Sequence, residues 1–337
     1  MGKNMINVAL FGLGRIGQMH AENLFNNKSF KLKFVYDVDY KLTQKISKKF
    51  NCAGHKNYKI AIESKVIDVI FISTSTNTHI KFLTEAVKKK KIVFCEKPLD
   101  LNLKKINNCE KVIKKFNPRV QLGFNRRYDP GHNGIKKKLM IGKIGKLEKI
   151  IITSRDPSPP PLNYLKVSGG IFKDMMIHDF DLARFYLDNN DEYVSIFATA
   201  SNMYDKKFKN LNDHELATCV LKSKKGIQCV ITNSRHCSFG YDQRVELFGT
   251  DGMLLSGNKR ENETEIHSKN STNNKAPLLN FFIERYNDAY KLQLNDLAKM
   301  KNKKFKPLAG FEEGRMSLLI AEKAILSLKT KKLEKIN

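Results

Sequence analysis

The sequence predicts two domains of different class. Residues 1–122 read as an α/β domain on a doubly wound parallel sheet, and residues 123–337 as an α+β domain on a mostly antiparallel sheet. Three observations predict this. Short apolar runs alternate with helical patterns up to about residue 122. A glycine-rich turn stands between the first run and the first helix. Beyond residue 122 the alternation gives way to consecutive strand patterns and then to two long helical ones.

In the first domain, INVALF (6–11) is an apolar run suited to a strand covered on both faces. QMHAENLFNN then has helical periodicity, FKLKFVYDVD (30–39) is a second strand and VIDVIFIS (66–73) a third. The helix THIKFLTEAVKKK follows, then a strand KIVFCEKP (91–98), a helix LKKINNCEKVIKKF and a fifth strand RVQLGFN. This order is that of a dinucleotide-binding Rossmann fold.

Gly12, Gly14 and Gly17 make a GxGxxG, a pattern that chance also produces. Here it follows a strand and opens a helix, which is the context that gives it meaning. Gly12 permits the tight turn, Gly14 lets backbone approach a pyrophosphate, and Gly17 lets helix and strand pack closely. Arg15 and Ile16 lie at the helix N-terminus, whose unpaired N–H groups suit phosphate. Asp37 lies twenty residues beyond Gly17, at the tip of the second strand, with no arginine beside it. A carboxylate there accepts from both ribose hydroxyls and repels a 2′-phosphate, so NAD is expected over NADP. Ser73, Thr74, Ser75 and His79 follow the third strand, and Glu96 and Lys97 the fourth. All are expected at the cofactor, because ligands bind outside the carboxyl ends of such strands.

In the second domain, GKLEKIIITSRD (145–156) is a strand leading into DPSPPPLNYLKVSGG. A stiff proline-rich segment can place Asp156 and Asn163 against a ligand, although a plain linker would look similar. KDMMIHDFDLARF (173–185) reads as one helix, with Asp174, His178 and Asp181 on one stripe and Met176, Ile177, Phe180 and Ala183 on the opposite one. A helix this apolar is expected to be buried, so its ionisable groups need partners, either each other or a substrate. EYVSIFATASNMY, ELATCVLKSKKGIQCVITNSRH and YDQRVELFGTDGMLLSG read as antiparallel strands with a turn at SKKG. The two helical patterns follow them.

Composition bounds the remaining possibilities. The net charge is +27, but only eleven of the 61 cationic residues are arginine, and the lysines are spread along the chain. That pattern is expected of solvated faces, and no finger, zipper or stacking motif points to nucleic acid. No apolar run approaches the ~18 residues a membrane span requires. The apolar strand at the start carries no leader pattern, and six cysteines without CxxC spacing point to a reduced, cytoplasmic chain with no metal site.

GLGRIG, STSTNTH, CEKPL, GFNRRYDP and the run from Ser154 to Phe185 together resemble the glucose–fructose oxidoreductase/inositol dehydrogenase/rhizopine catabolism family. The last run points to its inositol branch. The resemblance implies a large open sheet in the second domain, a homotetramer, and NAD-dependent oxidation of the C2 hydroxyl of myo-inositol. A related cyclitol or sugar, such as scyllo-inositol or an aldose, is the alternative substrate. It implies that Lys97, in an EKP motif whose Lys–Pro bond is commonly cis, and Asp174 and His178, in the DMxxHD motif, are catalytic. It also implies that Arg127, Asp156 and Tyr241 join them in lining the polyol pocket, for which Asn163 is a suitable residue type.

Losing a proton from oxygen and a hydride from carbon calls for a base and fixed geometry. On this reading His178 is the base. Asp174 orients its ring, and Lys97 donates to the oxygen as alkoxide character develops. The polar stripe is expected to face the crevice that holds the cofactor.

Overall fold

The computed structural model describes residues 5–205, 208, 211 and 213–336. The early apolar runs become β1 (Ile6–Phe11), β2 (Phe30–Tyr36), β3 (Ala53–Gly54), β4 (Val69–Ile72), β5 (Ile92–Cys95) and β6 (Arg119–Leu122). Helices α1 (Arg15–Phe25), α2 (Tyr40–Phe50), α3 (Lys59–Glu63), α4 (Thr76–Lys88) and α5 (Leu103–Ile113) connect them. All five pairings are parallel, in the order β3-β2-β1-β4-β5-β6. The order reverses between β1 and β4, the switch point at which doubly wound sheets bind ligands. Val8, Leu10, Val69, Phe71 and Phe94 are fully buried. These lie on one face, where Phe71 stacks on Phe94 at 3.9 Å, and Ala9, Phe11, Ile70, Ile72 and Val93 are as fully buried on the other, so apolar side chains cover both faces of the central strands.

The later elements are α6 (Pro130–Met140), β7 (Leu147–Arg155), α7 (Leu162–Ser168), α8 (Gly170–Asp174), α9 (Ile177–Tyr186) and β8 (Tyr193–Ser201). They continue with β9 (Leu216–Ser223), β10 (Gln228–Ser234), β11 (Asp242–Gly249), β12 (Gly252–Ser256), β13 (Glu265–Ser268) and β14 (Ser271–Lys275). The chain closes with α10 (Phe282–Arg285), α11 (Asn287–Lys299), α12 (Phe311–Thr330) and β15 (Glu334–Lys335).

Seven strands form the second sheet, in the order β12-β11-β7-β10-β9-β8-β15. Its pairings are antiparallel except β7 with β10, which run parallel from Lys149↔Gln228 to Arg155↔Ser234. One face buries Ile150, Ile152, Ile231, Val245 and Leu247 against Phe172, Met176, Phe180, Ile320 and Ala324 of the helices.

The stretch 173–185 is two helices, not one. α8 ends at Asp174, Met175 and Met176 form a turn, and α9 begins at Ile177. The Met176 N–H bonds to Ile171 O, five residues back, whereas the His178 N–H bonds to Met175 O, only three back. This irregular spacing breaks the 3.6-residue phase. Both methionines are buried in the core beneath the turn. Asp174 is thereby separated from the helix that carries His178 and Asp181, and Asp181 pairs with Arg127.

A single cut at residue 122 also misses one segment. The chain contacts divide into a unit of residues 1–125 plus 289–316 and a unit of 126–288 plus 317–337. Leu294, Leu297 and Met300 bury in the core of the first unit. The Gln121 amide donates to Gln293 O at 2.8 Å, and the Leu122 N–H donates to Ala309 O at 2.9 Å. The first of the two long helical patterns, PLLNFFIERYNDAYKLQLNDLAKMK, was legible as helix, but the structure divides it into α10 and α11, and its destination depended on which core offered an apolar gap.

Among the described residues no helix is long and apolar enough to cross a membrane, and the six cysteines are free thiols. Leu294 is fully buried in the core of the first unit although it lies in the last fifth of the sequence. Leu294→Ala is expected to destabilise that unit by ~2–5 kcal/mol. Denaturant unfolding would measure the loss, and hydrogen exchange should show weakened protection in β1 and β4.

Candidate functional site

In the first unit, polar residues gather at the carboxyl ends of β1, β4 and β5. Gly12 has φ +88°, and a Cβ there would lie 2.4 Å from Ser73 O. At Gly17 a Cβ would lie 2.0 Å from Gly12 O, so neither position admits a side chain. A Cβ at Gly14 would meet nothing within 4 Å. Gly14 is the N-cap of α1, with no side-chain cap and no acidic residue in the first turn, so the positive helix end faces open space. Arg15 is exposed at that end and Ile16 is half-buried. Asp37 sits at the tip of β2, where its carboxylate accepts the Leu13 N–H at 2.7 Å and the Asp39 N–H at 2.9 Å. Open space beside Gly14 at a helix N-terminus, with a carboxylate at the tip of the next strand, suits the pyrophosphate and ribose of a dinucleotide.

The loop after β4 is tied to this turn. The Ser73 hydroxyl donates to Gly12 O at 2.9 Å, and the Thr74 and Thr78 hydroxyls lie 2.6 Å apart. Ser75 is the N-cap of α4 without a side-chain cap. His79 differs from expectation. It is 1% exposed, with Nδ1 2.7 Å from Pro98 O and Nε2 2.9 Å from Thr74 O. Burial lowers its pKa, against the pull of those two carbonyls. Both ring nitrogens thus engage backbone, and His79 couples the two loops. Glu96 is likewise committed within the protein. Its Oε1 is 2.8 Å from Nε2 of the fully buried His20, and its Oε2 accepts the Lys97 N–H at 3.2 Å. The Lys97–Pro98 bond is cis, and Lys97 is half-buried.

In the second unit the parallel strands β7 and β10 end side by side, and β9 and β11 begin at the same edge. The Asp156 N–H donates to Ser234 O at 2.8 Å, joining the segments after β7 and β10. Asp174, at the end of α8, accepts from the Tyr164 hydroxyl at 2.7 Å on Oδ1 and from Arg235 Nη1 at 3.3 Å on Oδ2. Tyr164 is 46% exposed, but its hydroxyl is seated against Asp174, where loss of water, and then the Asp174 carboxylate, push its pKa up. Burial raises the Asp156 carboxyl to about 6, against the pull of Arg235 and Arg126. His178 is half-buried on the first turn of α9, and Tyr241 is buried just before β11, edge-on to Tyr286.

Two expected pocket residues sit differently. Arg127 is buried in a two-pronged pair with Asp181, Nε to Oδ2 and Nη2 to Oδ1, both at 2.7 Å. Its fork anchors α9 to the segment before α6. Asn163 is exposed on the first turn of α7, and the polar group this helix delivers to the cluster is the neighbouring Tyr164. Sequence reasoning missed Tyr164, Arg235 and the buried set around Asp179. Asp179 takes Arg126 Nη1 at 2.5 Å, the Ser154 hydroxyl at 2.7 Å and the Asn233 amide at 2.7 Å. The available signal was arginine itself, scarce in a lysine-rich chain and suited to paired carboxylates.

Comparison with known proteins agrees with this construction. A profile described as an oxidoreductase family with an NAD-binding Rossmann fold matches residues 6–124. One for the GFO/IDH/MocA C-terminal domain matches residues 132–255. The chain is 38% identical to "Myo-inositol 2-dehydrogenase" of Thermotoga maritima, over 98% of each chain. It is 36% identical to "Inositol 2-dehydrogenase" of Rhizobium meliloti, over 97% of this chain and 98% of that protein. The crystal structure of a myo-inositol dehydrogenase from Corynebacterium glutamicum superposes with TM-score 0.95 at 37% identity, over 99% of both chains. Fold, strand order, glycine turn and end-to-end similarity agree, and the chain belongs to the GFO/IDH/MocA family of NAD-binding oxidoreductases.

Proposed function

We propose that this protein oxidises the C2 hydroxyl of myo-inositol to the corresponding 2-keto cyclitol with NAD. The observation that carries this reading is the end-to-end similarity to the Thermotoga maritima enzyme, together with the presence of Lys97, Asp174 and His178 in this chain. Bound NAD supplies the hydride acceptor. The glycine turn and the N-terminus of α1 hold its pyrophosphate, Asp37 its ribose hydroxyls, and the Ser73–Ser75 loop flanks it. His178 takes the proton from the alcohol oxygen. Asp174 supplies the negative charge that offsets the imidazolium so formed. Lys97 donates a hydrogen bond to the same oxygen as it gains negative charge. Asp156 and Tyr241 bind other hydroxyls of the ring, and a site built on hydroxyl recognition discriminates against analogues lacking them.

The protein acts as a cytoplasmic homotetramer on this reading. Support for assembly comes from the uncovered face of the seven-stranded sheet, where Phe197, Val220, Phe248, Met253 and Leu255 are each more than 40% exposed. A sheet face carrying this much apolar surface suits contact with a second copy. Light scattering should return the mass of four 38.7 kDa chains, and a monomer at micromolar concentration would refute the assembly.

Turnover is read as NADH absorbance with NAD or NADP and a panel of myo-inositol, scyllo-inositol and glucose. Myo-inositol with NAD is expected to be the best pair, and the absence of turnover on every polyol would sink the proposal. His178→Ala should lower kcat by ~10²–10⁴ while leaving NAD affinity intact. Lys97→Met should be comparably damaging, and if it weakened only NAD binding the lysine would belong to the cofactor.

The raised carboxyl of Asp156 sets a pH dependence. Because the folded protein holds this proton up to about pH 6 and the unfolded chain releases it nearer 4, the folded state binds more protons between those values. This group's contribution to stability therefore falls as pH rises from about 4 to about 6. Asp156→Asn should remove that component, which thermal melts of both proteins across the window would show as a difference in slope.

A further inference from the structure

We propose that Arg235, backed by Asp213, is a positioning residue that grips helix α8 at both ends and so fixes the Asp174 carboxylate for the reaction. The inference rests on the role proposed above for Asp174.

α8 is five residues long and cannot hold its own geometry, because so short a segment makes hardly any internal hydrogen bonds. Asp213 holds its start: Oδ1 accepts the Ile171 N–H at 2.8 Å and the His214 N–H at 2.7 Å. Gly170 makes room for this carboxylate. Its φ is +78°, and a Cβ there would lie 2.9 Å from Asp213 Oδ1. Arg235 holds the end, with Nη1 3.3 Å from Asp174 Oδ2 and Nη2 3.5 Å from Asp213 Oδ2. One guanidinium thus links the carboxylate capping the first turn of α8 to the carboxylate that ends it. The Tyr164 hydroxyl on Asp174 Oδ1 leaves the carboxylate little freedom to rotate.

Charge and burial point the same way. Arg235 is 0% exposed, so its guanidinium is out of reach of a substrate and acts through its neighbours. Asp156 and Asp179 add negative charge nearby, and Arg126 is engaged by Asp179. Arg235 is therefore the cation shared by Asp174 and Asp213. A lysine at this position would keep the charge but lose the fork that reaches two carboxylates at once.

The test is a double-mutant cycle on the full-length protein, comparing Arg235→Met, Asp174→Asn and the double variant. Each is assayed for kcat and KM with myo-inositol and titrated with NAD, and a crystal structure of Arg235→Met is determined alongside. Arg235→Met should lower kcat about 10²-fold, the scale of loss from misplacing a reacting group by about 1 Å. NAD affinity should not change. The double variant should be no slower than Asp174→Asn alone, because Arg235 acts only through that carboxylate. Where Asp174→Asn is itself impaired, losses that multiply, or an Arg235→Met enzyme with wild-type kcat, would overturn the inference.

If Asp174→Asn retains full turnover, the catalytic reading of Asp174 fails by itself. The crystal structure then decides the positioning claim: Asp174 displaced from the Tyr164 hydroxyl supports it, and an unmoved carboxylate refutes it. Should Arg235→Met not fold, Arg235→Lys and Asp213→Asn carry the same comparison. A partial loss of kcat that vanishes on the Asp174→Asn background is expected for each.

Discussion

Parallel strand pairing is the constraint on which both polar clusters depend. Parallel neighbours end at the same edge, so whatever follows them in sequence is brought together in space. In the first unit this gathers the glycine turn, the loop beginning at Ser73 and the Glu96–Lys97 pair. In the second it acts through one exception in a mostly antiparallel sheet. Because β7 and β10 run parallel, Asp156 and Arg235 emerge side by side, and the antiparallel neighbours β9 and β11 begin at that edge, adding Asp213 and Tyr241.

Loops brought together this way still need their backbones fixed, and buried side chains do it. Ser73 and His79 stitch backbone carbonyls of neighbouring loops in the first unit. In the second unit the fixing groups are ion pairs: Arg126 with Asp179, Arg127 with Asp181, Arg235 with Asp174 and Asp213, and Arg285 with Asp129. All of these cations are arginine. A planar fork can satisfy two carboxylate oxygens at once and is less strongly hydrated than an ammonium, so it costs less to bury. The numerous lysines are mostly exposed, which separates the chain's large positive charge from the chemistry of its interior.

These networks also explain which site residues were legible. Gly12, Gly14, Gly17 and Asp37 could be read because their roles follow from backbone geometry at fixed positions in a local strand–turn–helix unit. Tyr164 and Arg235 could not, since their partners lie ten and sixty-one residues away, and no local pattern marks a tyrosine or an arginine as a ligand of Asp174. Arg127 was assigned to the pocket by the family resemblance of its motif, which carries no record of the two-pronged pair it makes with Asp181 on α9.

Fold class, the strand–helix alternation of the first unit and the dinucleotide turn are written locally in the chain, as consequences of short-range periodicity and of steric limits at glycine. Long-range packing set the rest: residues 289–316 complete the first core, the 173–185 stretch breaks at Met175–Met176, and each arginine finds its carboxylate. Those outcomes depend on where distant apolar surfaces and charges meet, and local spacing carries no record of that.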